Sequence, residues 1–203
     1  MLSSRPNSLL VRWTVLTAIG FAVGLGAAVA LGGPVQALVG MVLVTPTLTV
    51  MVGTLMGTSQ LLELRSRLAH PGAWVLATGI GLGIGLAAGV VVVEQGGRWL
   101  AGHAVNVVRL SPLDRALSLA VVGLVAGVVL GGAQQWVLRR QAPGIKHWMA
   151  ATTVALAVAM PLASLAVDVL LRGIASAAGL LGFGLVAGLI LGALTAPSLR
   201  RAA

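Results

Sequence analysis

The sequence contains no cysteine and few charged residues. The lack of cysteine excludes disulfides, thiolate nucleophiles and cysteine-ligated metal sites. Charged side chains make up 8% of the 203 residues, far below the roughly 25% that is typical of soluble domains. The 13 basic and 4 acidic side chains are too few to cover a soluble fold, and 58% of the residues are hydrophobic, with a mean hydropathy of +1.04. These features indicate an integral membrane protein.

Long hydrophobic runs occur six times, each with the roughly 20 mostly apolar residues that a bilayer span needs. We therefore predict an all-α integral membrane fold with six transmembrane helices, approximately over residues 13–31, 35–62, 73–93, 113–138, 148–171 and 174–196. Gly32-Gly33-Pro34 predicts a tight turn between the first two helices. The fourth helix is predicted to start at Ser111-Pro112. Ser111 would be its N-cap, Pro112 its first helical residue and Asp114 an acid at the third helical position.

The distribution of basic residues predicts the orientation. With the N-terminus inside, nine basic residues lie in cytoplasmic segments and four in the outer loops. Both termini are therefore expected to be cytoplasmic, in the inner membrane of a bacterial cell, since the Ala, Gly, Val, Leu and Arg bias is bacterial in character. The net charge of +9 lies in short loops between apolar runs, which favours lipid headgroups over nucleic acid as its partner.

An internal repeat relates the odd-numbered spans. Each begins near a tryptophan, followed four residues later by a threonine and then by small residues in steps of three or four. These steps keep the small side chains on one helical face. The aligned residues are Trp13, Thr17, Gly20 and Gly24; Trp74, Thr78, Gly81 and Gly85; and Trp148, Thr152, Ala155 and Ala159.

The even-numbered spans repeat as well, aligned on an arginine at each end. A leucine precedes the arginine, a Gln or Thr lies five residues before it, and a stripe of small residues continues backwards. The aligned residues are Gly53, Gly57, Gln60 and Arg65; Gly123, Gly127, Gly131, Gln134 and Arg139; and Gly184, Gly188, Gly192, Thr195 and Arg200.

The two stripes together predict three tandem helical hairpins with pseudo-threefold symmetry in one transmembrane domain, with repeats at approximately 9–67, 70–141 and 144–203. Parallel repeats of this kind are related by an axis along the membrane normal. The tryptophan-to-arginine separations of 52, 65 and 52 residues place a 13-residue insertion in the middle hairpin. Residues 94–115 are expected to carry it, in part as a short helix on the outer surface.

Each repeated residue type has a physical role in a bilayer. Tryptophan suits the headgroup region, where its N–H stays hydrated. Arginine complements the negative end of a helix dipole, and the Gln or Thr can bond to a neighbouring helix. Small residues let membrane helices approach closely. These residues therefore predict how the helices assemble, and they do not predict a chemical activity.

The first span also shares features with a cleavable signal peptide: Arg5 and Arg12, an apolar run, and Ala28-Val29-Ala30. We expect it to be retained, because it belongs to the repeat.

The motif Gly-x-[Ser/Ala]-Gln at residues 57–60 and 131–134, with Leu-Arg after it and a tryptophan nine residues beyond the arginine, resembles small multi-spanning bacterial membrane proteins of uncharacterised function. The resemblance covers helices two to five and weakens in helix six, where Thr195 replaces glutamine. It implies a membrane fold and no activity.

Few residues are candidates for transport chemistry. Three acids have a basic residue four positions on, Glu63 with Arg67, Glu94 with Arg98 and Asp168 with Arg172, which predicts ion pairs within single helices. Asp168 nevertheless falls within an apparent span, where acids can mark ion or proton paths. Prolines that interrupt spans can mark transport sites as well, which gives a candidate set of Thr45, Pro46, Thr47, Thr49, Pro161 and Asp168.

Catalytic and cofactor motifs are not recognisable. The three histidines, at positions 70, 103 and 147, fall in loops without ligand spacing, and we expect no enzyme activity, no metal and no cofactor. The leading hypothesis is a structural or accessory subunit that packs through small-residue faces in a membrane complex or homo-oligomer. The alternative is a channel or carrier for a small neutral solute.

Overall fold

The computed structural model describes residues 6–101, 110–141, 145, 147–171 and 176–200. Over these residues the chain is all-helical, with six helices. A helical stretch Pro6–Leu64 is broken at Gly40, which separates α1 (residues 6–39) from α2 (residues 41–64). The other helices are α3 (Pro71–Ala101), α4 (Pro112–Gln141), α5 (Trp148–Leu171) and α6 (Ala177–Arg200).

Five helices of the described chain are long and apolar enough to cross a membrane. Their spans are Ser8–Gly40, Pro71–Trp99, Pro112–Gln141, Trp148–Leu170 and Ala177–Leu199. The sixth helix, α2, is present but is not among these five. The helical, apolar and multi-pass character expected from composition is therefore confirmed.

The turn between the first two helices lies later than expected. Helical geometry continues through Gly32-Gly33-Pro34, and the chain reverses at Gly40, whose φ of 80° and ψ of 169° favour glycine. Proline inside a membrane helix is tolerated when the surroundings satisfy the freed backbone groups, so Pro34 does not end α1. The prediction of a turn at residues 32–34 was wrong.

The start of α4 agrees with the expected N-cap. The backbone N–H of Asp114 donates to Ser111 Oγ at 3.2 Å, and Ser111 Oγ donates to Asp114 Oδ2 at 2.6 Å. Ser176 caps α6 in a similar way, because it accepts from the backbone N–H of Gly179 at 2.9 Å. Ile174, the expected first residue of the last span, lies outside the described residues.

The insertion in the middle hairpin begins inside a membrane helix rather than in a separate one. Residues 94–101 form the last two turns of α3. The third helix therefore extends beyond its expected end near residue 93, because the polar residues from Glu94 onward do not interrupt α3, and the expected surface helix stays a prediction. Residues 102–109 lie outside the described part of the chain.

The six helices form a closed ring. Each helix packs against the next in chain order, and α6 packs against α1 to complete the circuit. Successive helices are antiparallel, which gives three hairpins: α1–α2, α3–α4 and α5–α6. We call the end of the ring that carries Trp13, Trp74 and Trp148 the tryptophan end.

The centre of the ring is filled by two apolar clusters. The cluster at the tryptophan end includes the three tryptophans and the leucines that precede each repeated arginine, namely Leu64, Leu138 and Leu199. The second cluster fills the remaining length and includes Phe21, Leu82 and Leu156. Large apolar side chains are also exposed at helical spacing on the outside, as in Val11, Val15, Ile19 and Val23 of α1. An apolar exterior of this extent fits a lipid environment.

Candidate functional site: a polar layer beside three tryptophans

The predicted packing glycines lie at contacts between neighbouring helices of the same chain. A Cβ atom built on any of them would come within 3.1 Å of an atom of the next helix. Gly127, for example, would place it 2.5 Å from Thr153 Cα, and Gly188 would place it 2.6 Å from Ala18 Cα. The full set is Gly20, Gly24, Gly53, Gly57, Gly81, Gly85, Gly123, Gly127, Gly131, Gly184, Gly188 and Gly192. These stripes therefore pack against neighbouring helices of the same chain, and Gly81 also lines a groove on the outside of α3 and α4.

The three repeated tryptophans meet in the middle of the ring. Their ring centroids are 6.3 Å apart for Trp13 and Trp74, and 5.7 Å apart for the two pairs that include Trp148. All three pairs are edge-to-face, a geometry that contributes about 0.5–1.5 kcal/mol per pair beyond simple burial. Each side chain is at most 1% exposed.

This position differs from the headgroup belt expected for tryptophan. The indole N–H groups are not hydrated at the surface but donate to side chains of neighbouring helices. The sequence did contain a signal for the interior position, because the helical steps place each tryptophan on the same face as the small packing residues. A belt tryptophan would instead face lipid.

Two glutamines connect adjacent hairpins by the same pair of bonds. Gln60 Oε1 accepts from Trp74 Nε1 at 3.3 Å, and Gln60 Nε2 donates to Thr17 Oγ1 at 3.2 Å. Gln134 Oε1 accepts from Trp148 Nε1 at 2.9 Å, and its Nε2 donates to Thr78 Oγ1, also at 2.9 Å. Each glutamine thus bonds to the helix before it and to the first helix of the next hairpin.

The third connection is shorter, because threonine stands where the other hairpins have glutamine. Thr195 Oγ1 accepts from Trp13 Nε1 at 3.0 Å, which repeats the tryptophan bond. Its hydroxyl then donates to the carbonyl of Leu191 in its own helix at 2.8 Å. Thr152, the counterpart of Thr17 and Thr78, is 1% exposed, and its Oγ1 has no hydrogen-bond partner among the described residues.

A small cavity of about 10 Å³ lies at this third connection. Its lining includes Gln60, Gln134, Thr152 and Thr195, together with Trp148 and three apolar side chains. Thr17, Thr78, Trp13 and Trp74 do not line it. The cavity therefore lies between α2, α4, α5 and α6, and Thr152 is the one of the three equivalent threonines that faces it.

The arginines of the even helices mark the tryptophan end of the ring. Arg65 follows the last residue of α2, Arg139 lies in the last turn of α4 and Arg200 is the last residue of α6. Arg65 and Arg139 are exposed. Arg140, next to Arg139, lies over the ring of Trp136 at 4.0 Å from its centroid.

Two of the candidate threonines of α2, Thr47 and Thr49, bond within their own helix. Thr47 Oγ1 donates to the carbonyl of Leu43 at 2.7 Å, and Thr49 Oγ1 lies within 3.1 Å of the carbonyls of Thr45 and Pro46. Thr45 and Thr47 are exposed on the outside of the ring, and Thr49 and Pro46 are partly exposed. Pro161, in the middle of α5, is also partly exposed. The structure does not bring these residues together.

Two of the acids, Asp168 and Glu63, form ion pairs with arginines on other helices. Asp168 of α5 forms an ion pair with Arg115 near the start of α4, and both side chains are nearly buried, at 14% and 11% exposure. Glu63 pairs with Arg12, with 3.2 Å between Oε2 and Nε. Neither pair is the one expected from spacing, and Arg172 lies outside the described residues. Between the described Glu94 and Arg98 there is likewise no ion pair.

One side chain that the sequence did not single out organises the start of α5. Gln135 Oε1 accepts from the backbone N–H of Trp148 at 2.9 Å, and Gln135 Nε2 donates to the carbonyl of Ile145 at 3.0 Å. The adjacent Gln134-Gln135 pair is the signal, because a second amide directly follows the repeated one. Within the described residues no group of three or more histidine or acidic side chains could hold a metal ion.

An apolar groove lies on the outside of the α3–α4 hairpin. It encloses about 430 Å³ and is lined almost entirely by apolar atoms. Its lining includes Ala73, Ala77, Gly81 and Ala133, walled by Leu76, Ile80, Ile84, Val129 and Trp136.

Comparison with protein-family models, with curated proteins and with solved structures finds no match for this chain.

Proposed function

We propose that this chain is a non-catalytic membrane protein that acts as a structural or accessory subunit. The observation that carries the proposal is the filled, closed ring. The axis is occupied by the tryptophans at one end and by packed apolar side chains along the described length. A ring in which the repeated tryptophan, glutamine and threonine side chains bond from helix to helix is suited to holding a fixed shape.

We also infer that the three hairpins are related by an approximate threefold axis. The inference is supported by the equivalent positions of Trp13, Trp74 and Trp148 and by the matching bonds of Gln60 and Gln134. Equivalent glycines in successive hairpins also face equivalent neighbours, as Gly24 faces Val52 and Gly85 faces Ala126. Thr195 is the principal departure from this pattern.

We propose that the tryptophan end faces the cytoplasm of a bacterial cell, because most basic residues lie there. Two glycines allow a direct test, since a Cβ atom at Gly72 or Gly96 would meet nothing within 4 Å. A membrane-impermeant thiol reagent added to intact cells should label Gly96→Cys and leave Gly72→Cys unlabelled. The reverse result would invert the proposed orientation.

The α3–α4 groove is the surface that we assign to a partner. Small residues on its floor let a transmembrane helix approach closely, and the other two hairpins do not offer the same floor. Aligned on the repeated arginines, Ala133 corresponds to Ser59 and to the larger Leu194. At the mouth of the equivalent groove of the first hairpin, Arg12 stands in place of Ala73 and pairs with Glu63. We therefore propose that the occupant is a transmembrane helix of another subunit.

Ala133→Leu tests this assignment, because it introduces the residue that the third hairpin already carries at this position. The variant should keep the melting temperature of the wild type and lose the partner subunit that co-purifies at fixed stoichiometry in mild detergent. Leu194→Ala is the matched control and should retain the partner. A wild-type protein that is monomeric and without a partner under these conditions would contradict the proposal, and a defined homodimer would identify a second copy as the occupant.

Transport of a small neutral solute remains the alternative, and vesicles reconstituted with purified protein distinguish the two. The accessory role predicts no solute-dependent swelling or uptake above empty vesicles, for the wild type and for Thr49→Val and Asp168→Asn. Uptake by the wild type that either variant abolishes without unfolding would refute the accessory role.

A further inference from the structure

The hydroxyl of Thr152 is buried, and among the described residues it lacks a hydrogen bond that the equivalent threonines of the other two hairpins make. In the first two hairpins the corresponding threonines, Thr17 and Thr78, each accept from a glutamine amide. Thr195 has no side-chain amide, and its hydroxyl donates to the carbonyl of Leu191 in its own helix. Leaving a buried hydroxyl without a hydrogen-bond partner is destabilising, so this position favours any group that can bond to it.

The cavity beside Thr152 has the size and chemistry for one small polar molecule. Its volume is about 10 Å³, which matches the roughly 10–15 Å³ that a single water requires. A bound water also needs two to four polar partners. Four hydrogen-bonding side chains besides Trp148 line this cavity, namely Gln60, Gln134, Thr152 and Thr195.

We propose that one water molecule is bound in this cavity and takes the place of the glutamine amide that the other two hairpins supply. The water donates to Thr152 Oγ1, as the side-chain amides of Gln60 and Gln134 donate to Thr17 and Thr78, and it bonds to other polar side chains of the lining. Larger ligands are excluded by the volume. Of the three equivalent threonines only Thr152 lines the cavity, and the proposal does not depend on whether the protein serves as a subunit or as a carrier.

A competing arrangement defines what the experiment must distinguish. Thr78 Oγ1 donates to the carbonyl of Trp74, four residues earlier in the same helix. If Thr152 rotated to bond to the carbonyl of Trp148 in the same way, it would need no water. The two arrangements differ in whether water protons lie close to the Thr152 methyl group for long times.

The test uses the full-length protein in detergent micelles, deuterated except for isotope-labelled threonine methyl groups. Nuclear Overhauser transfer from water is measured at Thr152, with Thr17 and Thr78 as internal controls that carry the same exchangeable hydroxyl. We expect transfer at Thr152 several-fold stronger than at the two controls. In Thr195→Gln, whose amide fills the cavity, the Thr152 signal should fall to the level of the controls.

Equal transfer at all three threonines of the wild type would overturn the proposal, and so would a strong Thr152 signal that persists in folded Thr195→Gln. The wild-type comparison decides the question even if the variant does not fold. A crystal structure of the wild type gives an independent measure. Ordered density within hydrogen-bond distance of Thr152 Oγ1 supports the water, and a Thr152 hydroxyl bonded to the carbonyl of Trp148 contradicts it.

Discussion

The two ends of the ring differ in how closely the three hairpins resemble one another. At the tryptophan end each hairpin contributes a tryptophan, a threonine and a Gln or Thr at matching positions, and these side chains touch one another. At the opposite end the hairpins differ. The first reverses at the single residue Gly40, the second carries the 13-residue insertion, and the ion pair between Arg115 and Asp168 joins α4 to α5 only.

This difference indicates that the fold depends more on the size and hydrogen bonding of individual side chains at the tryptophan end than at the opposite end. Side chains that meet at a common centre must match in size and in hydrogen bonding, because each one contacts both of the others. Connections at the other end contact fewer partners and can vary in length, as loops generally can. We therefore expect equivalent perturbations to cost more at the tryptophan end.

The largest effect is expected for Trp148→Ala. The substitution removes two edge-to-face contacts, the donor to Gln134 and the volume of a buried indole, which together correspond to about 3–5 kcal/mol. Thermal unfolding in detergent should show a melting temperature lower by at least about 6 °C. Trp99→Ala at the opposite end is the control, because Trp99 is 88% exposed. Similar shifts for both variants would show that the tryptophan cluster is not a centre of stability.

Gly131→Ala is expected to have the next largest effect. Its Cβ would lie 2.9 Å from the Cα atom of Met149, a backbone atom that cannot move aside cheaply, and overpacking of this kind costs about 1–3 kcal/mol. Its neighbour Gly132 is a close control, because a Cβ there meets only the Met149 sulfur at 3.7 Å. Gly132→Ala should be neutral or stabilising, since alanine favours helix. A lower melting temperature for Gly132→Ala than for Gly131→Ala would contradict the close packing of Gly131 against α5.

At the opposite end, Asp168→Asn should have a smaller effect, of about 1–2 kcal/mol. The change keeps the size of the side chain and removes the charge that faces Arg115. Arg115→Gln is the complementary change, and the double variant should lose less than the sum of the two single variants because the pair is already broken. Strictly additive losses would show that the two side chains are not coupled.

Thr195→Gln is expected to change the stability least and, unlike the other substitutions, to increase it. The new amide can accept from Trp13 and donate to Thr152, which would complete the third connection. A hydrogen bond between membrane helices contributes about 0.6–1 kcal/mol, so the melting temperature should rise by roughly 2 °C. The gain should vanish in a Thr152→Val background, where there is no hydroxyl to receive the amide. A gain of the same size in both backgrounds would exclude the third connection as its cause.

Much of the membrane fold could be predicted from the sequence. Apolar runs and turn residues act locally, so the helical segments and the Ser111 cap were accessible from single stretches of chain. The turn at Gly40 was not, because Gly32-Gly33-Pro34 is a stronger local turn signal, and continuation of α1 through it depends on how the surroundings satisfy the backbone.

The contacts of individual polar side chains were harder to predict from the sequence. Spacing suggested Arg172 for Asp168, but the ion pair of the structure comes from Arg115, 53 residues earlier in the chain. Similarly, a tryptophan near a helix end has two positions that suit its mixed character, the headgroup region and a bonded interior. Only the position of the neighbouring Gln and Thr side chains in space distinguishes them.

The closure of the ring by α6 against α1 has a consequence for how the chain is made. Trp13 is synthesised early, but the hydroxyl that accepts its indole N–H belongs to Thr195, 182 residues later. At roughly 5–20 residues per second, this indole and the face of α1 that will contact α6 wait about 10 to 40 s for their partner. During biogenesis the nascent first helix therefore needs a temporary neighbour in the insertion machinery or in the bilayer, and release from it must await the last helix.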